Sequence, residues 1–129
     1  MLHMMPVIKV WCLPKVGQLK LRKLFKSIVT AVEGVTELGL KGSDSMTILF
    51  PQDMMNYGLG TVIIIEITLP KKPGQTAKVR RLLAESLGTT LKGHFPKAVV
   101  QCMIHQFDPK QGLWTSTRRR RLKLISAGS

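Results

Sequence analysis

The stretch Met5-Pro6-Val7-Ile8-Lys9-Val10-Trp11-Cys12-Leu13 decides how the rest of the chain reads. From Val7 to Leu13 it is apolar or β-branched at nearly every position, with one lysine, and Pro14 stops it. A short run of that kind reads as a strand buried on both faces. Proline is permitted at its first position, where a strand can do without an N–H. The Met5-Pro6 pair adds a chemical possibility. If translation begins at Met5, removal of that methionine leaves Pro6 as a free secondary amine on a rigid strand. If residues 1–5 stay attached, the same nitrogen is an amide without basicity.

Working outward, a helical stripe follows Pro14-Lys15-Val16-Gly17. Leu21, Leu24, Phe25, Ile28, Val29 and Val32 recur every three or four residues, with Lys20, Arg22, Lys23 and Lys26 on the other face. Lys41 to Ser45 is turn-like. Met46 to Phe50 reads as a second strand, and Gln52 to Gly60 as a loop. Thr61 to Leu69 is the most β-prone run and is expected to be a central strand. After the turn Pro70-Lys71-Lys72-Pro73-Gly74, a second helix begins near Gln75 or Thr76, its inner face formed by Val79, Leu82, Leu83, Ser86, Leu87, Thr90 and Leu91. A fourth strand runs from Lys97 or Ala98 to Phe107, and Gly112-Leu113-Trp114 forms a final strand or hook.

The order is one βαβ unit repeated: an α+β chain with a four-stranded mixed sheet and two helices on one face. Right-handed crossovers make the strands parallel within each unit. Val7, Trp11 and Leu13 alternate with Ile8, Val10 and Cys12, so both sheet faces read as apolar. The face without helices is expected to be covered by another copy of the chain.

At 129 residues the chain is one domain, expected at residues 6–116, between an extension at 1–5 and a basic tail at 117–129. No apolar run approaches the ~20 residues that span a bilayer, and MLHMM lacks the features of a signal peptide. A cytoplasmic protein without membrane contact is the expectation. Cys12 and Cys102 lie in strand-like runs and read as buried reduced thiols. The cysteines and three histidines match no metal pattern, and neither a metal nor another cofactor is expected. The formal charge is +13, with Arg118, Arg119, Arg120, Arg121 and Lys123 clustered near the C-terminus. That field favours anionic partners, small carboxylates or nucleic acid.

These features together resemble the tautomerase superfamily, in particular the macrophage migration inhibitory factor branch with two fused βαβ units. The resemblance covers Pro6 to about Trp114. It rests on Met5-Pro6 opening the first strand, Lys41 before the second, and Pro51-Gln52-Asp53-Met54-Met55-Asn56-Tyr57-Gly58 after it. Leu83-Ala84-Glu85-Ser86-Leu87 ending the second helix, and Phe107-Asp108 with Gly112-Leu113-Trp114 closing strand four and its hook, complete it. It implies a homotrimer and a keto–enol tautomerase acting on a small α-keto or enol carboxylic acid at each subunit interface. Pro6 would be the general base and Lys41 the cation that holds a carboxylate or stabilises an enolate. The end of strand three would contribute a backbone group at Ile67 or Thr68. Met103 stands where many family members keep an active-site tyrosine, and His105 where they keep an asparagine. Tyr57 or His105 would have to replace the phenol. Two alternatives fit the same pattern: a tautomerase fold without activity, and a ferredoxin-like nucleic-acid-binding module with Arg118 to Lys123 as its arm.

Overall fold

The computed structural model describes residues 5–52 and 62–113. Its elements are β1 (Val7–Trp11), α1 (Gln18–Glu33), β2 (Thr47–Leu49), β3 (Val62–Pro70), α2 (Ala77–His94) and β4 (Val99–Phe107), with short 3-10 turns at Thr36–Leu38, Ser43–Ser45 and Pro109–Gln111. The sheet order is β2-β1-β3-β4. β1 pairs with β2, and β3 with β4, in parallel. The two units join through an antiparallel β1–β3 ladder in which Val7 faces Thr68 and Trp11 faces Ile64. This is the expected βαβ-βαβ architecture. The two strands of each unit are direct neighbours, whereas a ferredoxin-like sheet splits each βαβ unit with an intervening strand. Strand order therefore rules out the ferredoxin-like alternative. No helix among the described residues is long and apolar enough to cross a membrane.

Periodicity explains the core. β1 contributes Ile8 and Val10, and β3 contributes Ile63, Ile65, Ile67 and Leu69, all on one face by strand alternation and all at most 1% exposed. Leu24, Ile28 and Val32 of α1, and Val79, Leu83, Leu87 and Leu91 of α2, meet them at four-residue spacing. Leu82, expected on the inner face of α2, is exposed. α1 is preceded by Gly17 without a side-chain cap. α2 has one: Val79 N–H donates to Thr76 Oγ1 at 3.3 Å. Gly88 does not interrupt the helix, because the packing of Leu83, Leu87 and Leu91 outweighs its ~1 kcal/mol propensity cost.

β1 ends two residues earlier than its composition suggests. Cys12 adopts φ 66°, the left-handed region, and swings the chain off the sheet before Pro14. Such a conformation costs a non-glycine residue about 1–3 kcal/mol. The expectation of two apolar faces also needs correction. The open face carries Lys9, Glu66, Gln101 and His105 beside Trp11, Ile64 and Met103. The Trp11 indole N–H donates to Glu66 Oε1 at 3.1 Å, and His105 Nε2 lies 3.7 Å from Glu66 Oε2. The Lys9 ammonium sits 6.0 Å from the centre of the Trp11 ring. This face is amphipathic, with a charged centre and the apolar, exposed Leu49, Val62 and Val99 around it.

The two neighbouring isoleucines of β3 therefore separate two effects. Ile65→Asp buries a charge among helix-facing side chains and costs several kcal/mol, so its circular-dichroism melt is expected to lose the cooperative transition. Ile64→Asp, on the open face, is expected to retain it. Thr76→Ala is expected to lower stability by about 1 kcal/mol through loss of the α2 cap, measured by urea denaturation.

Candidate active site

The antiparallel β1–β3 ladder determines what surrounds Pro6. With Val7 opposite Thr68, the preceding residue lies beside Leu69 and Pro70 at the end of β3. Pro6 is buried there, and its carbonyl accepts the Thr47 N–H at 2.9 Å, which ties β1 to the start of β2. A small cleft of about 120 Å³ opens at this point. Leu38, Leu40, Leu69 and Pro70 supply apolar walls, and Glu37, Lys72 and Gln75 supply the polar groups.

The polar groups are held by local structure. Gly74, at φ 84°, makes the turn after β3, and the Gln75 N–H donates to the Lys72 carbonyl at 3.3 Å. A side chain with a Cβ rarely adopts that φ, so glycine suits this position. The Gln75 amide is fixed at both ends: its Nε2 donates to the Pro70 carbonyl at 3.3 Å, and its Oε1 accepts from Gln106 Nε2 at 2.6 Å. Its backbone carbonyl accepts from Arg80 Nη1 at 2.7 Å. On the opposite wall, Glu33 Oε2 accepts the Gly42 N–H at 2.6 Å and anchors the segment that carries Leu40 and Lys41 to the end of α1.

The residues expected from sequence fall into different places. Pro6 lines the cleft. Lys41 is exposed, and its neighbour Leu40 lines the cleft instead. Ile67 is buried under the helices and Thr68 lies on the open face; Leu69 and Pro70 are the β3 residues at the cleft. Met103 and His105 are exposed on the open face, opposite Glu66 and Thr68. One subunit does not bring them to Pro6. Tyr57, Trp114 and the arginine-rich tail lie outside the described residues. Glu37, Lys72 and Gln75 were not singled out by the sequence pattern. The signal for Lys72 and Gln75 was the lysine-rich turn after the central strand, which becomes informative once β3 is known to run antiparallel to β1.

Thiol chemistry is disfavoured at Cys102. Burial pushes its pKa up to about 11, so the nucleophilic thiolate is scarce near neutral pH. Among the described residues no three His, Cys, Asp or Glu side chains are grouped to hold a metal.

No family model matches the chain, and no curated protein sequence matches it. Solved structures do. Macrophage migration inhibitory factor of Toxoplasma gondii superposes with a TM-score of 0.59 at 14% identity, covering 88% of this chain and 97% of that one. A malonate semialdehyde decarboxylase gives 0.59 at 11% identity, over 92% of this chain and 98% of that one. A fused 4-OT described as a symmetric trimer gives 0.60 at 12% identity, over 81% and 88%. All three are tautomerase-superfamily proteins, and at these identities the likeness is one of fold. The chain has the tautomerase fold with two fused βαβ units.

Alkylation tests the exclusion of Cys102 as a nucleophile. At pH 7.5, Cys102 is expected to react with iodoacetamide on the order of a hundredfold more slowly than an unperturbed thiol, read by peptide mass spectrometry.

Proposed function

We propose that the chain is a keto–enol tautomerase for a small α-oxo carboxylic acid, active when Pro6 is the amino terminus. The observation that carries this reading is the position of Pro6: buried at the head of β1, in a cleft with apolar walls and Lys72. A secondary amine in such surroundings loses solvation of its charged form, which lowers its pKa and makes it a competent base near neutrality. The amine takes a proton from the carbon next to the substrate carbonyl. The electron pair of that C–H bond moves into the enolate, whose oxygen then takes a proton back from the prolinium, so the amine is regenerated. Lys72 balances the enolate or carboxylate charge. Lys41, one residue beyond Leu40, supports the carboxylate from the rim.

Met103 and His105 would join the site only from a second copy, since they lie on the other sheet face of their own subunit. We therefore propose a homotrimer in which open faces meet; a symmetric trimer is the state given for the fused 4-OT structure. The polar centre of the open face, Lys9, Glu66 and His105, then requires polar or hydrated contacts between subunits. The basic tail, Arg118 to Lys123, lies outside the described residues and takes no part in this reading.

The test is ketonisation of phenylpyruvate by two purified forms, with the amino terminus of each established by mass spectrometry. The form beginning at Pro6 is expected to be active. A form retaining Met5 is expected to lose on the order of 10²–10⁴-fold in rate, the usual contribution of a general base. Equal rates would remove Pro6 from the mechanism, and no rate from either would leave a tautomerase fold without this activity. Lys72→Ala is expected to raise KM roughly tenfold or more while changing kcat less, and Lys41→Ala to raise KM by a smaller factor. Sedimentation equilibrium at micromolar concentration is expected to give the trimer mass; a stable monomer would refute the assembly.

A further inference from the structure

α1 and α2 leave a groove of about 910 Å³ between them, on the outer side of the helical layer. It shares no lining residue with the Pro6 cleft. The groove exists because positions flanking the buried leucines are small: Ser27 and Ala31 on α1, Ser86, Thr90 and Gly93 on α2. Longer side chains there would close it. Ser86 Oγ donates to the Ala31 carbonyl at 3.2 Å and Thr90 Oγ1 to the Ser86 carbonyl at 2.9 Å, so these two hydroxyls spend their protons on the backbone.

The other end of the groove is organised differently. The Lys20 ammonium lies 3.4 Å from His94 Nδ1, and His94 Nε2 lies 3.0 Å from Ser27 Oγ. An ammonium only donates, so Nδ1 is the acceptor and the proton of the neutral ring is on Nε2. Nε2–H then donates to Ser27 Oγ, which leaves the Ser27 hydroxyl proton free to turn into the groove. Burial, and then Lys20, hold the His94 pKa below its ordinary value, consistent with a neutral ring in this relay. Lys26 and Thr30 line the same wall one turn apart. Among the described residues the one acid lining the groove, Glu85, is paired with Arg81 at 3.3 Å. Because the helices are antiparallel, their end dipoles offset one another and the side chains set the local potential.

Among the described residues, the groove thus presents hydroxyl and ammonium donors, and its carboxylate, Glu85, lies at the exposed rim in an ion pair with Arg81. We propose that it is a second ligand site, taking a small phosphorylated molecule whose phosphoryl group is bound by Lys20, Lys26 and the Ser27 hydroxyl. Two ammoniums match a dianion, and a tetrahedral oxyanion accepts from all three donors at once. The groove is open to solvent along its outer side, and its volume leaves room for more than the phosphate itself. The body of the ligand lies toward Ala31 and Leu82.

The experiment is a nuclear magnetic resonance titration of the full chain with ribose 5-phosphate, inorganic pyrophosphate and unphosphorylated ribose, at near-physiological salt. The two phosphorylated probes are expected to give saturable shifts centred on Ser27, Thr30 and His94, and ribose none. The His94 ring is expected to titrate at higher pH when the anion is bound, because a nearby negative charge favours the protonated ring. Lys20→Gln with Lys26→Gln is expected to weaken binding roughly tenfold or more. Lys15→Gln with Lys97→Gln removes the same charge from exposed positions outside the groove and is expected to leave affinity nearly unchanged. Equal weakening by both pairs, shifts that never saturate, or equal binding of ribose would overturn the proposal. None of these readouts depends on Pro6.

Discussion

The antiparallel pairing of β1 with β3 is the constraint on which the structure depends. Each βαβ unit alone is a two-stranded parallel sheet with one helix, too small to enclose a core. Joining them edge to edge makes a four-stranded sheet whose two helices fall on the same side and bury one continuous layer of isoleucine, valine and leucine. The right-handed crossover leaves little freedom in that choice. The same pairing lays the head of β1 against the tail of β3. The buried Pro6 and the lysine turn after Pro70 meet as a consequence of how the core closes.

One-sided cover also explains the open face. Strand register is strongly specified when one face is fully buried, since a one-residue slip would exchange the two sets of side chains. With Ile8, Val10, Ile63, Ile65 and Ile67 committed to the helices, the alternate positions are free to be polar. Lys9, Glu66 and His105 use that freedom, and the Trp11–Glu66 hydrogen bond spans the central ladder. A uniformly greasy face would favour indiscriminate association. A charged centre inside an apolar rim restricts which surfaces fit against it.

The two candidate sites therefore lie in different layers of the molecule. The Pro6 cleft lies at the sheet end where the two units meet, bounded by the turns that follow α1 and β3. The hydroxyl-lined groove lies outside the sheet, between the helices. Each depends on the common core for its geometry, yet they share no lining residue, so side-chain changes in one need not disturb the other.

Much of this was legible in the chain itself. Helices and strands followed from hydrophobic period, because a stripe every three or four residues and a run of β-branched residues leave few alternative conformations. The repeat of one unit and the parallel pairing within it came from element order, and the likeness to the tautomerase fold from that order together with Met5-Pro6, Lys41 and the segments that follow the second and fourth strands. Other features depended on contacts between distant residues. Local composition carried β1 through Leu13, but Cys12 in a left-handed conformation ends it at Trp11. Alternation marked Ile64 and Ile65 as opposite, yet only the packed helices decide which of them is core. Lys41 stood out by its place before a strand, whereas Lys72 reaches the Pro6 cleft through the β1–β3 register. Periodicity reports which residues share a face of one element; which residues of different elements come together is determined when the elements pack.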